Sequence, residues 1–177
     1  MRVINIKKRI EMDENFIYGI AKVEVNNLTI GYIEKGSFQW GGTPPETVDV
    51  EAEQVPSAPV LVLVQKNGTI SPQFNLIQLN LENLQAVMGG TVEGKKWSAP
   101  STLAKVSGPA KITTVSGAVI EIPNAQVSSN LTGNLTLTET SKIQVTLKAV
   151  APDGGGSPYS IDFAEAEQSQ QGPVSEG

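Results

Sequence analysis

The chain has 177 residues, a net charge of −5, and neither cysteine nor histidine. That length fits one domain able to bury roughly 70% of its unfolded surface without covalent staples. The missing residue types exclude disulfides, thiolate and imidazole metal sites and a histidine general base, and an acidic chain with 5% aromatic residues and no basic stripe is poorly built to grip nucleic acid.

In chain order, residues 1–15 are charged throughout and carry no apolar core segment, so no secretory signal is expected. Lys7, Lys8 and Arg9 form a basic cluster, with Glu11, Asp13 and Glu14 behind it. The segment reads equally as an arm or edge strand contacting a neighbour and as a solvated terminus. Residues 16–25 predict a strand, with a bulge at Gly19. Asn26-Asn27 predicts a turn, residues 28–33 a second strand and residues 36–40 a short third one.

Gly41-Gly42-Thr43-Pro44-Pro45 breaks regular structure, and Pro56 and Pro59 break it again. Between these breaks the alternation is the cleanest in the chain. Val48, Val50 and Ala52 point one way, and Asp49, Glu51 and Glu53 the other. Three like charges on one strand face must meet water or basic partners. Residues 60–64, all Val or Leu, are apolar on both faces and predict a central strand covered on both sides. This longest apolar run is far too short to span a bilayer. Asn67-Gly68 signals a two-residue hairpin joining it to residues 69–79.

A helix is predicted at about residues 81–88. Asn80 suits the N-cap, Glu82 the positive end of the helix dipole, and Gly89 the left-handed C-terminal stop. Leu81, Leu84 and Met88, with Val87 beside them, make the apolar face. At about two turns the helix cannot stand alone and must pack on a sheet. Residues 91–102 read as an irregular connection. Residues 110–115, 118–122, 125–129, 134–138 and 143–150 predict short strands separated by turn residues. In the last of these, Ile143, Val145, Leu147 and Ala149 share the apolar face. Residues 152–158 form a glycine-rich turn, residues 159–163 a last strand, and residues 164–177 an acidic, disordered tail. The fold class expected is mainly β: an antiparallel β-sandwich or barrel of two packed sheets with one short flanking α-helix.

No chemistry-bearing motif emerges. Gly154-Gly155-Gly156 opens no helix and therefore no phosphate cradle. Serines beside glycines have no base partner. Asp49 with Glu51 has the spacing of a glycosidase pair, yet the chain supplies only Trp40 and Trp97 as aromatic platforms. No catalytic residue, cofactor or metal is expected.

Three pieces carry a resemblance. The first is Leu28-Thr29-Ile30-Gly31-Tyr32-Ile33-Glu34-Lys35-Gly36-Ser37, followed by the acidic strand at residues 48–54. The second is Leu79-Asn80-Leu81-Glu82-Asn83-Leu84, ending in Met88-Gly89-Gly90-Thr91. The third is Gly117-Ala118-Val119-Ile120-Glu121-Ile122-Pro123, with residues 143–150 and Tyr159-Ser160-Ile161-Asp162. In this order they resemble the tail tube (major tail) proteins of long-tailed bacteriophages, over residues 16–163.

The resemblance implies a structural virion protein made in the host cytoplasm, with hexameric rings stacked into a hollow tube. Such a tube encloses a tape-measure protein, meets terminator and tip or baseplate proteins at its ends, and passes DNA without binding it; no membrane is involved. Loops at residues 41–45 and 91–100, and the arm with Lys7, Lys8 and Arg9, would join subunits. Asp49, Glu51 and Glu53 would face the lumen, where like charge keeps phosphates off the wall. The same three residues fit equally well a solvated outer face or pairing with the basic arm of a neighbour. Two other readings stand beside this one: the tube protein of a contractile tail or injection system, and a β-sandwich that binds a glycan or receptor.

Overall fold

A computed structural model describes residues 16–102 and 105–163; the basic arm and the acidic tail of the sequence reading lie outside them. Among the described residues the chain is mainly β with one helix, as expected. Seven strands make one antiparallel sheet: β1 (Ile20–Val25), β2 (Leu28–Ile30), β7 (Gln73–Leu76), β10 (Val106–Thr114), β11 (Ala118–Thr132), β12 (Lys142–Ala149) and β13 (Ser160–Phe163). The order is β2-β1-β10-β11-β12-β7, with β13 beside the first residues of β11.

The sheet curls until its ends meet. Beyond β2, Ile33 bridges Leu76 of β7, while Glu34 N–H donates to the Asn75 carbonyl and Ile77 N–H to that of Tyr32. Two halves therefore face each other across one core of Val23, Val25, Phe74, Leu76, Ile112, Ile120, Ile122, Ile143, Val145 and Leu147, all essentially solvent-free. Each buried aliphatic side chain of this kind contributes about 1.5–3 kcal/mol. The alternation expected on β12 holds, with Ile143, Val145, Leu147 and Ala149 inside.

Turn chemistry explains the local path. Asn26 and Asn27 both have positive φ (53° and 63°), giving the tight hairpin that suits strand twist between β1 and β2. The β1 bulge falls at Ala21 instead of Gly19, which precedes the strand at φ 66°. Residues 118–122 and 125–129 are one fifteen-residue strand. Pro123 does not break it because Pro123 and Asn124 together oppose Pro109 at a bulge, where a missing N–H costs no ladder bond. The strand expected at residues 134–138 is irregular, since Gly133 (φ 92°) turns the chain out of β11.

The helix α1 (Leu81–Met88) has the expected bounds and caps: Asn80 Oδ1 accepts from Asn83 N–H at 2.7 Å, and Gly89 sits at φ 70°. Its buried centre is Asn83 and Val87; Leu84 and Met88 flank that centre, and Leu81 lies outside the core cluster. Two side chains finish its C-terminus. Ser129 Oγ–H donates to the Val87 carbonyl at 2.6 Å, and Trp97 Nε1–H donates to the Gly89 carbonyl at 2.9 Å. Trp97 stands on β9 (Lys96–Ser98), which pairs with β8 (Thr91–Glu93). Residues 91–98 are therefore a small hairpin instead of an irregular link.

Candidate functional site

The largest departure from the sequence reading lies between residues 39 and 73. The strands β3 (Gly42–Thr43), β4 (Glu46–Val50), β5 (Leu61–Lys66) and β6 (Thr69–Ile70) form one nested hairpin, β3 pairing with β6 and β4 with β5. Its root is the Gln39–Gln73 bridge, followed by Ser71 N–H donating to the Gly41 carbonyl. Asn67-Gly68 is therefore not the end of a hairpin. It lies midway along one leg opposite Pro44-Pro45, where the ladder is interrupted between the Thr43↔Thr69 and Glu46↔Lys66 pairs. Residues 36–40 likewise supply a single bridge, not a strand.

This two-stranded ribbon leaves the barrel. Every residue of β4 and β5 is exposed, and Val64 is 64% exposed. The central, doubly covered strand expected at residues 60–64 is thus an uncovered ribbon leg. Among the described residues it pairs on one edge only, with β4. The register of the pair sorts its side chains: Val48 faces Leu63 and Val50 faces Leu61, so these four share one wholly apolar face. Asp49, opposite Val62, lies on the other face with Thr47 and Val64. Two-stranded ribbons are at best marginally stable in water, and four uncovered aliphatic side chains at adjacent sites form an association surface.

The predicted acidic trio is only partly one strand face. Asp49 is in β4, Glu51 just past its end, and Glu53 in the tight turn closed by the Ala52–Val55 bridge. All three are exposed. Lys7, Lys8 and Arg9 lie outside the described residues. Of the loops expected to join subunits, residues 41–45 are the ribbon's root, whereas residues 91–98 are held on the helix.

A second feature escaped the sequence reading. Beside the ribbon's root the barrel opens into a cavity of about 780 Å³. Tyr18, Tyr32, Phe38 and Trp40 line it above a floor that includes Ile112 and Ile120. Phe38 stacks on buried Phe74 with ring centroids 6.3 Å apart, and Trp40 meets Phe38 edge-on at 5.3 Å. The aromatic wall is thereby anchored in the core while Trp40 remains 50% and Tyr32 74% exposed. Five of the nine aromatic residues fall between residues 16 and 40, a density that could have marked the place.

Charges at the mouth are few. Lys22 pairs with Glu24 at 3.0 Å. Glu34 accepts from Lys142 Nζ and from Asn75 Nδ2, and these two bonds hold its carboxyl below the ordinary range against a smaller opposing effect of burial. Lys35 makes no ion pair among the described residues. Among those residues no three acidic side chains gather as a metal site, and no helix is long and apolar enough to cross a membrane. No protein-family model and no curated protein sequence matches the chain.

Proposed function

We propose that this chain is a structural subunit that assembles with copies of itself into stacked rings, forming the hollow tail tube of a long-tailed bacteriophage. The observation that carries this reading is the ribbon's exposed apolar face, Val48, Val50, Leu61 and Leu63, which no other element among the described residues covers. A barrel wall of neighbouring copies would cover it. The one-sided pairing of β13, with Ile161 and Phe163 exposed, supplies a further edge for a neighbour. The contact of ribbon on barrel joins two different surfaces, so it propagates from copy to copy into a ring or a stack. In such a tube the apolar ribbon face turns to the neighbour, and the face with Asp49, together with Glu51 and Glu53, turns to the bore. DNA then passes without adhering. The tape-measure, terminator and tip or baseplate proteins are the partners this role implies, and the virion is its location. A contractile tail or injection system would use the same subunit within a sheath.

Negative-stain electron microscopy of the purified protein at high concentration, with light scattering, is the test. Rings or tubes with a central hole are expected; a monomer at every concentration, also after addition of tail-tip complexes, removes the reading. One observation favours a second reading, a module that binds a glycan or receptor: the exposed aromatic side chains around the mouth suit stacking on a sugar ring. Binding of the isolated chain to a glycan array, without self-association, would select it.

A further inference from the structure

The ribbon ends in Val55-Pro56-Ser57-Ala58-Pro59-Val60, an apolar tip capped by two prolines and exposed throughout. The tip is compact: Val55 N–H donates to the Ala52 carbonyl and Val60 N–H to the Val50 carbonyl, both at 2.9 Å. From the root at Gln39 to Val50 the leg runs about 35 Å at ~3.3 Å per residue. Its own mouth opens at the root, at the opposite end of the ribbon from the tip. We infer that the tip of one copy seats in the aromatic mouth of the next.

Four features of the two surfaces match. Prolyl rings are rigid apolar plates that pack on aromatic faces, and a tip already fixed by its own hydrogen bonds loses little entropy on docking. The mouth offers Tyr18, Tyr32 and Trp40 as exposed faces over an apolar floor, with volume for several small side chains. Trp40 Nε1–H makes no hydrogen bond among the described residues, and prolines leave the tip's carbonyls available to it. The ribbon beyond Glu46 carries Asp49, Glu51 and Glu53 and no Lys or Arg before Lys66, whereas Lys35 at the mouth makes no ion pair among the described residues. Each copy holds one tip and one mouth about a ribbon's length apart, so the spacing between successive copies is set by the ribbon. The inference deepens the self-assembly reading and rests on it for the occupant of the mouth.

The cysteine-free sequence allows a direct test on the full-length chain. Two variants, Ala58→Cys and Tyr32→Cys, are mixed, oxidised at high concentration and resolved by mass on non-reducing gels. A disulfide forms only where Cα atoms approach within about 7 Å. The mixed tip–mouth disulfide is expected about tenfold or more above that of Ala58→Cys with the control Lys148→Cys, the ratio an aromatic anchor gives. Adding Trp40→Ala to the Tyr32→Cys chain should return the yield to the control, and Trp40→Phe should restore most of it. Equal yields at Tyr32 and Lys148 overturn the inference. So does preferential capture of Tyr32→Cys by Ile6→Cys, which would assign the mouth to the N-terminal segment. So does a glycan that binds wild type, fails to bind Trp40→Ala and leaves the cross-link ratio flat. Tubes with a flat ratio sink the tip contact and leave the tube reading intact. A strong tip–mouth cross-link in short chains that never form rings upholds the contact and sinks the tube.

Discussion

Asn83 is a polar residue at the centre of a helix face that packs on the core, 2% exposed. It is tolerated because its groups are used: its N–H goes to Asn80 Oδ1 and its Nδ2 to the Gln78 carbonyl at 2.9 Å. The Gln78 bond ties the end of the preceding strand segment to the helix. Asn83→Ala should cost about 1–3 kcal/mol, because the Gln78 carbonyl loses its donor in a nearly dry place. Urea titration would show a lower midpoint with an unchanged slope. Glu34 is a second fastening, joining the segment that closes the barrel to Lys142 at the start of β12. Its folded pKa is depressed, so its stabilisation is complete above the ordinary carboxylate range and fades as pH falls through the lowered value. The melting temperature of Glu34→Gln should therefore lie below wild type at neutral pH and converge with it in acid; a gap that persists below both carboxylate values would contradict this.

At the scale of elements, the ribbon stands outside the cooperative core. Leu61→Glu with Leu63→Glu should leave stability within about 0.5 kcal/mol, as exposed substitutions do. The same pair should abolish rings in the microscope, since the apolar face would become a charged one. Thermal melting and particle counts on the same preparation separate the two effects. The ribbon also shows what the sequence could and could not convey. The period of residues 46–50 gave the strand and the sorting of Val48 and Val50 from Asp49 correctly. An uninterrupted apolar run such as residues 60–64 has two physical meanings, a strand buried on both faces within its own chain or one awaiting another chain, and period alone does not separate them. Caps made the helix legible to the residue, because Asn80 and Gly89 act within one turn. The burial of Asn83 depends on Gln78 and a nearby strand, which no local pattern contains. The aromatic mouth escaped for the same reason: residues 18, 32, 38 and 40 meet only after the barrel closes.

For the whole molecule, the proposed tube makes charge the variable that matters for passage of DNA. Replacing Asp49, Glu51 and Glu53 with Lys should leave the apolar contacts of Val48, Val50, Leu61 and Leu63 in place, weaken the tip's charge match with Lys35, and slow DNA ejection in the tubes that form, because phosphates would then adhere to the bore. Ejection kinetics at several salt concentrations would show the delay shrinking as salt rises; unchanged kinetics would place the three residues away from the bore.

The gap in the ribbon's ladder at Pro44-Pro45 and Asn67-Gly68 has a mechanical meaning as well. Two paired stretches, one at the root and one toward the tip, meet at a joint without strand hydrogen bonds. Paired strands resist bending out of register; a joint of this kind yields first. If copies are held together through such ribbons, curvature of the assembly is taken up at these joints while every barrel keeps its shape. The result is a filament that flexes by adding many small rotations, each local to one link, and whose bore stays open around a bend.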